Sequence, residues 1–156
     1  ISLGANQSFA NLTGNGTIST ASGSPTLTVN GSANTTFSGT LQGGLGLTKT
    51  DNGSLTLSGS STSFAGATLV NAGTLNVSGT VGQTGSSAIT TVGGVSSKAT
   101  LAISGTMNQK NFFVGNANGA VGAVYQTAGT VTATNGGGDN LCVGNILGGF
   151  GFYNLS

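Results

Sequence analysis

The sequence predicts an all-β fold, a parallel β-helix (solenoid), from three observations. Short runs that alternate apolar and polar residues recur along the chain, as between residues 45 and 79. Gly or Asn-Gly closes each run, so the turns come too often for helices. Related strand segments also recur about every 20–30 residues, which is typical of stacked coils with constant strands and variable turns.

The alternation predicts one buried face along the successive strands. Its members are Leu45, Leu47, Leu55, Leu57, Leu69, Leu75 and Val77. Thr, Ser and Asn occupy the alternate positions, which we expect to face solvent. The larger apolar side chains expected to close corners or cover the core are Phe37, Phe64, Phe112 and Tyr125.

Two families of repeated segments indicate the coils. The first comprises TLTVNG (26–31), SLTLSG (54–59), TLNVSG (74–79) and TLAISG (100–105), whose first leucines are Leu27, Leu55, Leu75 and Leu101. In the second, residues 114–126 and 143–155 both begin with VGN, 29 positions apart, and Tyr125 and Tyr153 fall within one position of that offset. Repetition at these intervals favours a solenoid of about six coils, roughly 30 Å long, with strands stacked about 4.8 Å apart. A β-sandwich of antiparallel hairpins stays the alternative.

Turn signals support this organisation without dividing the chain. Pro25 precedes a strand, where its missing N–H does least harm. The pairs Asn15-Gly16, Asn30-Gly31 and Asn52-Gly53 predict turns with positive φ. Residues 80–98 have the weakest pattern and predict a longer loop. We expect residues 1–156 to form one solenoid segment of a longer chain, because the sequence opens within a strand pattern.

The composition excludes several classes of function. Charged residues make up 3% of the chain, namely Lys49, Asp51, Lys98, Lys110 and Asp139, and the net charge is +1. Nucleic acid is therefore not an expected partner, because no basic stripe exists to neutralise phosphates. Membrane insertion is not expected either, since no apolar run is long enough to cross a bilayer. The three lysines are interpreted as gatekeepers that discourage unwanted strand pairing.

No catalytic, cofactor-binding or metal site is predicted, and we do not expect an enzyme. The two acids, Asp51 and Asp139, lie far apart in Gly/Asn-rich turns and are interpreted as turn-capping residues. The chain has no His, and its serines have no recognisable base. The segment GGGD at 136–139 resembles part of a calcium-binding nonapeptide repeat but occurs once. Cys142, the single cysteine, is interpreted as an inert core thiol, with a reactive or intermolecular thiol as the alternative.

The aromatic residues near the carboxyl terminus allow two interpretations. Phe112-Phe113, Phe150, Phe152 and Tyr153 form either core and corner packing, which is favoured, or an outward strip for stacking on sugars. Alternation places Phe150 and Phe152 on one face, opposite Tyr153. Glycosylation is also open, since Asn-x-Ser/Thr sequons occur at Asn6, Asn11, Asn15, Asn30, Asn34, Asn52, Asn76 and Asn154.

Residues 44–79 read GLGLTKTDNGSLTLSGSSTSFAGATLVNAGTLNVSG and resemble the autotransporter-associated β-strand repeat. The matching positions are Leu47, Lys49, Gly53, Leu55, Leu57, Gly59, Phe64, Gly66, Thr68, Val70, Gly73, Leu75 and Val77. Asp51-Asn52 departs from the usual glycine-containing turn, and Ala67 stands where Gly is common. The resemblance implies a right-handed parallel β-helix in an exported bacterial protein at the cell surface, and it implies no catalytic residue.

These observations lead to one expected function and an alternative. The first is a non-catalytic, stiff β-helical segment that serves as a stalk, fibre or surface-layer unit. Its partners are neighbouring repeats of the same chain or other copies that stack head to tail or associate laterally. The alternative is an adhesin-type module that binds glycans or host surfaces. An enzyme of the polysaccharide-lyase kind would need Asp51 and Asp139 to meet in a groove.

Overall fold

The computed structural model describes residues 1–85, 87–134 and 140–156. The regular structure in these residues is entirely β. In chain order the strands are β1 (Ser2–Leu3), β2 (Gln7–Phe9), β3 (Thr17–Thr20), β4 (Thr26–Val29), β5 (Thr35–Phe37), β6 (Thr40–Leu41), β7 (Gly46–Lys49), β8 (Ser54–Leu57), β9 (Ser60–Ser61), β10 (Thr68–Val70), β11 (Gly73–Val77), β12 (Thr80–Val81), β13 (Ile89–Val92), β14 (Lys98–Ile103), β15 (Thr106–Gln109), β16 (Asn111–Val114), β17 (Val121–Gln126), β18 (Thr130–Ala133), β19 (Leu141–Val143) and β20 (Phe150–Leu155).

The strands form a solenoid with three faces and about six coils. Face I contains β2, β4, β7, β10, β13, β16 and β19, and face II contains β5, β8, β11, β14, β17 and β20. Face III consists of β1, β3 and β6, followed along the axis by β9, β12, β15 and β18. Every described strand pair is parallel, so the solenoid prediction is confirmed and the β-sandwich alternative is wrong. The handedness of the coil and the extent of the domain stay predictions.

An apolar ladder on the inner side of face II confirms most of the predicted stacking. Leu55 pairs with Leu75, and Leu75 pairs with Leu101, and all three side chains are fully buried. Each buried leucine contributes about 1.5–3 kcal/mol relative to an exposed one. Leu27 was expected in the same set, but it lies on face I and pairs with Leu47. The text TLTVNG resembles the face II strands because both faces need the same alternation.

One of the inner ladders of face I begins with Phe9 and continues with valines and one lysine. Its members in register are Phe9, Val29, Lys49, Val70, Val92, Val114 and Val143. The pairing of Val114 with Val143 confirms the 29-residue repeat as one coil. The tyrosines do not follow this register, because Tyr153 pairs with Val124 and points inward, whereas Tyr125 pairs with Asn154 and points outward.

The predicted inward position of Leu69 is wrong. Thr68 and Val70 are buried, and Leu69 between them is partly exposed. Pairing with β7 fixes this orientation, because Val70 lies opposite Lys49 and Leu69 lies opposite the outward-facing Thr48. The run ATLVNAG has apolar residues on both faces of the strand, so alternation alone predicted the wrong face as the buried one.

The long loop predicted at 80–98 is also corrected. Strands β12 and β13 lie within that range, and β14 begins at Lys98. The connection between β12 and β13 spans residues 82–88, of which residue 86 lies outside the described part. Thr90 and Val92 continue the inner ladders of face I. Pairing with the neighbouring coil therefore makes this weakly patterned stretch a strand.

The glycines of the three Asn-Gly pairs do not have the positive φ that was predicted. A Cβ on Gly31 would lie 1.7 Å from the carbonyl oxygen of Ala10, and one on Gly53 would lie 2.4 Å from that of Ala33. These two turns therefore need glycine because the coil below approaches closely. A Cβ on Gly16 would meet no atom within 4 Å. The expectation for Pro25 is confirmed, since β4 begins at the next residue.

A column of glycines marks the corner between faces II and III. Its members are Gly16, Gly39, Gly59, Gly79, Gly105 and Gly129, one in each successive coil. Thr80 N–H donates to the carbonyl of Gly59 at 3.0 Å, and Thr106 N–H donates to that of Gly79 at 2.8 Å. These bonds bring each carbonyl beneath the next glycine, where a Cβ on Gly79 would lie 2.1 Å from the oxygen of Gly59.

We predict that Gly79→Ala lowers the free energy of unfolding by about 2 kcal/mol or more, because backbone of the coil below would have to move. Gly16→Ala is the matched control, because it lies in the same column with open space around the added methyl. Chemical denaturation of both variants measures the difference. Equal stability of the two variants would contradict the packing explanation.

Candidate functional site: the solenoid surface and its two ends

The predicted acidic residues do not form a described pair. Asp51 lies exposed in the turn after β7, with φ of 68°. Asp139 and the GGGD segment at 136–139 lie outside the described residues, so their interpretation stays a prediction. Within the described part, no three Cys, Asp, Glu or His side chains lie close enough to hold a metal ion.

Lys49 lies inside the solenoid, so its interpretation as a surface gatekeeper is wrong. Its side chain is 1% exposed, and Nζ donates to the backbone carbonyl oxygens of Thr50 and, at 2.9 Å, Asp51. Burial lowers the pKa of the Lys49 amine below its usual 10.5, and the nearby carboxylate of Asp51 opposes that shift. Lys98 is exposed and Lys110 is half-buried, and for these two the gatekeeper interpretation stays a prediction.

Three aromatic rings lie exposed on the outer side of face II, near its carboxyl-terminal end. We call Tyr125, Phe150 and Phe152 the aromatic strip; they are 44%, 62% and 41% exposed. The rings of Tyr125 and Phe152 have centroids 5.7 Å apart and planes inclined at 54°. The favoured core and corner interpretation is therefore wrong for Phe150 and Phe152, and so is the expected corner or core-covering role of Tyr125.

The other aromatic residues follow the predictions more closely. Phe37, Phe64 and Phe112 are buried as expected, and Phe113 is half-buried. Tyr153 lies opposite Phe150 and Phe152, as alternation predicted, and packs against the core. Its hydroxyl donates to Oε1 of Gln126 at 2.7 Å when the phenol is protonated.

The outer side of face II changes in character along the axis. One outward ladder contains Thr36, Thr56, Asn76, Ala102, Tyr125 and Asn154 in register. A second contains Ser54, Thr74, Thr100, Ala123 and Phe152. Hydroxyl and amide groups therefore cover the earlier coils, and aromatic rings cover the last two.

Both ends of the solenoid expose apolar residues that point inward in register. At the carboxyl-terminal end, Leu141 is 51% exposed and Leu155 is 73% exposed, beside an open depression of about 340 Å³. At the amino-terminal end, Phe9 is 37% exposed beside a depression of about 190 Å³. Strands β19 and β20 are edge strands at one end, and β1 and β2 are edge strands at the other. Each end thus presents apolar side chains together with a strand edge.

The burial expected for Cys142 is confirmed, with 6% of the residue exposed, but the core position is wrong, because Cys142 pairs with Phe113 on the outer side of face I and lies outside the apolar cluster. Its low reactivity stays a prediction.

Several sequon asparagines join neighbouring coils. Oδ1 of Asn6 accepts a hydrogen bond from Thr26 N–H at 2.8 Å. Nδ2 of Asn76 donates to Oγ1 of Thr56 at 3.2 Å. Glycosylation would use Nδ2, so the Asn76 contact would be disturbed, and modification at the sequons stays a prediction.

The fold and surface define a β-solenoid made of structural repeats. Residues 47–77, which run from β7 to β11, match the family model of the passenger-associated-transport-repeat. This match and the solenoid are consistent with the β-helix repeats of autotransporter passengers, as the sequence resemblance implied. The match covers about a fifth of the chain. Searches of the curated proteins and of the solved structures gave no match. The described residues form no helix that could span a membrane.

The buried amine of Lys49 predicts a pH dependence of stability. Its pKa is lower in the folded chain, so the unfolded chain binds the proton more firmly, and stability should rise as pH approaches 10.5. We therefore expect the free energy of unfolding of the native sequence to rise, relative to Lys49→Met, as pH increases towards 10.5.

Denaturation series at several pH values measure this difference between the two proteins. Burial raises the pKa of Tyr153, which would lower stability above its usual 10.0, but both proteins contain this tyrosine. Parallel pH profiles would contradict the prediction.

Proposed function

We propose that this chain is a non-catalytic structural segment of an exported bacterial surface protein, in which the solenoid forms a stiff stalk, fibre or surface-layer unit. Its ends associate with further coils, either neighbouring repeats of the same longer chain or a second copy stacked head to tail. The observation that carries this proposal is the exposure of inward-facing apolar residues beside unpaired strand edges at both ends.

The interior supports a stiff element. In the described residues, buried apolar side chains from Leu3 to Val124 form one cluster along the solenoid. Parallel backbone ladders connect successive coils on three faces, with an interruption on face III between β6 and β9. Bending the rod would require these ladders to open and the ladder of side chains to separate, so both features resist bending.

The weakly charged surface supports association between copies. Five charged side chains in 156 residues supply little electrostatic repulsion between neighbouring rods. Leu155 illustrates the cost of an uncovered end, because about 25 cal/mol is lost for each Å² of apolar surface left in water. Another coil at this end would bury that surface and pair the edge of β20.

The passenger-type repeat at 47–77 supports an extracellular or outer-surface location. The chemistry of the chain supports a non-catalytic role, since it has no His, Glu or Arg to act in proton transfer or charge stabilisation.

Association through the carboxyl-terminal end is tested with Leu155→Lys. We expect the native sequence to gain mass with concentration in sedimentation equilibrium and to form filaments in electron micrographs. Leu155→Lys should weaken association about tenfold or more, because a lysine would have to be buried without a partner.

Asn154→Lys is the matched control, since it adds the same charge on the same strand but on the outer side. It should associate as the native sequence does. A native chain that stays monomeric at millimolar concentration would contradict stacking between copies and leave neighbouring coils of the same longer chain as the partner.

The aromatic strip favours a second candidate function, recognition of glycans by an adhesin-type surface. The rings of Tyr125 and Phe152 are adjacent and partly exposed, with planes inclined at 54°, and Phe150 adds apolar surface on β20. Aromatic rings of this kind stack on the apolar faces of sugar rings, while neighbouring hydroxyl and amide groups such as that of Asn154 bind sugar hydroxyls.

We predict that, if glycans bind, Tyr125→Ala and Phe152→Ala each weaken binding about tenfold or more on a glycan array, since each removes one ring of the adjacent pair. Phe113→Ala is the control, because it removes a half-buried ring from face I. An array with no hits for the native sequence, or equal losses with Phe113→Ala, would contradict this function.

A further inference from the structure

Lys49 occupies a position that valine fills in the neighbouring coils. Val29 lies directly before it in the face I ladder, and Val70, Val92 and Val114 follow it. Its aliphatic stem fills the same space, but its amine needs hydrogen-bond acceptors inside the solenoid. The turn between β7 and β8 supplies them through the carbonyls of Thr50 and Asp51.

That turn also has an unusual backbone. After the face I strands of later coils, the chain turns through glycines with positive φ, namely Gly73, Gly93, Gly115 and Gly144. After β7 the left-handed residue is Asp51, with φ of 68°; among the described residues Ser96, in the connection between β13 and β14, is the other non-glycine residue with positive φ. A residue with a Cβ is disfavoured in this region, so the β7–β8 turn lacks the relief that glycine gives the others.

We propose that Lys49 is an internal clamp, whose side-chain amine holds the left-handed Asp51 turn by binding the Thr50 and Asp51 carbonyls. The proposal does not depend on the proposed function, because it concerns how one coil of this chain is held in shape.

The clamped turn supports the coil above it. Asn71 N–H donates to the carbonyl of Lys49 at 2.8 Å. The turn of the next coil is therefore hydrogen-bonded to the residue that carries the clamping amine. A Cβ on Gly73 would lie 2.4 Å from the carbonyl oxygens of both Asp51 and Gly53, so the turn of the next coil packs closely on this one. A shift of the Asp51 turn would therefore move Gly73 and the start of β11.

The surroundings of the amine leave few groups that could act in its place. The strands packed against β7, which are β4, β10 and β11, contain no titratable side chain. Asp51 supplies the nearby charge. A neutral amine keeps two N–H donors, so it can serve both carbonyls with or without the extra proton.

The test is Lys49→Met in three backgrounds: the native sequence, Asp51→Gly and Asp51→Asn. Methionine keeps a long apolar side chain in the ladder and removes the donors. In the native background we expect the equilibrium constant for unfolding to rise about tenfold or more, and in the Asp51→Gly background less than about threefold, because glycine accepts the turn without a clamp. Asp51→Asn removes the charge but keeps a Cβ, so the loss there should stay close to tenfold. Lys98→Met is the matched control at an exposed lysine and should change stability little in any background.

Amide hydrogen exchange gives a second measurement. Thr50 N–H donates to the carbonyl of Val29 in the coil below, and Asn71 N–H of the coil above donates to that of Lys49. Lys49→Met should accelerate exchange at these two amides more than at Thr106 on face III. Equal losses of stability on Lys49→Met in all three backgrounds would overturn the proposal. It would also be overturned if Asp51→Asn reduced the loss of stability as much as Asp51→Gly does, because the coupling between Lys49 and Asp51 would then be due to charge. If Lys49→Met does not fold, recovery of cooperative unfolding by adding Asp51→Gly supports the clamp, and failure to recover overturns it.

Discussion

The structure depends on the hydrogen-bonded spacing between coils, about 4.8 Å in a parallel sheet. This spacing applies on three faces at once, so each coil must follow the path of the coil below at every strand and corner. The inner ladders follow from it, because in-register stacking places Leu55 beneath Leu75 and Leu75 beneath Leu101. The glycine column follows as well, since Thr106 N–H holds the carbonyl of Gly79 where a Cβ on Gly105 would lie. Connections can vary in length only where the chain leaves this path.

The same constraint explains how far the sequence predicted the fold. Period-two alternation and repeated strand text were sufficient for the solenoid and for the pairing of Val114 with Val143, because both depend on local pattern and spacing. They failed where the decision lies in the neighbouring coil. Leu69 and Val70 are both apolar, and only the register with β7 determines which one is buried. Leu27 was placed in the wrong ladder because strands of faces I and II have similar text.

The candidate site was less predictable than the fold. The composition predicted no catalytic site, so the candidate sites were the surface and the ends of the solenoid. Alternation correctly placed Phe152 and Tyr153 on opposite faces of β20. Which of the two side chains faces solvent depends on which face of the whole strand is turned to the core. A lone lysine in a polar run is typical of a solvated surface, so Lys49 was interpreted in that way. The signal that could have corrected it is its period-two position two residues after Leu47, on the buried side.

A buried amine and an uncovered apolar end are consequences of the same architecture. Within the solenoid the inward positions are closed above and below, and the Lys49 amine finds its acceptors in the adjacent turn. The buried hydroxyls of Thr68 and Thr90 on the same face have no hydrogen-bond partner among the described residues, so such partners are not supplied at every inward position. At the last coil the inward positions are closed on one side only, and Leu155 therefore keeps most of its surface in water. The Lys49 amine is thus held by backbone of its own coil, whereas the inward side chains at the carboxyl-terminal end lie beside an open strand edge. Under the proposed function, the ends, more than the faces, would therefore determine how such a segment is joined to others.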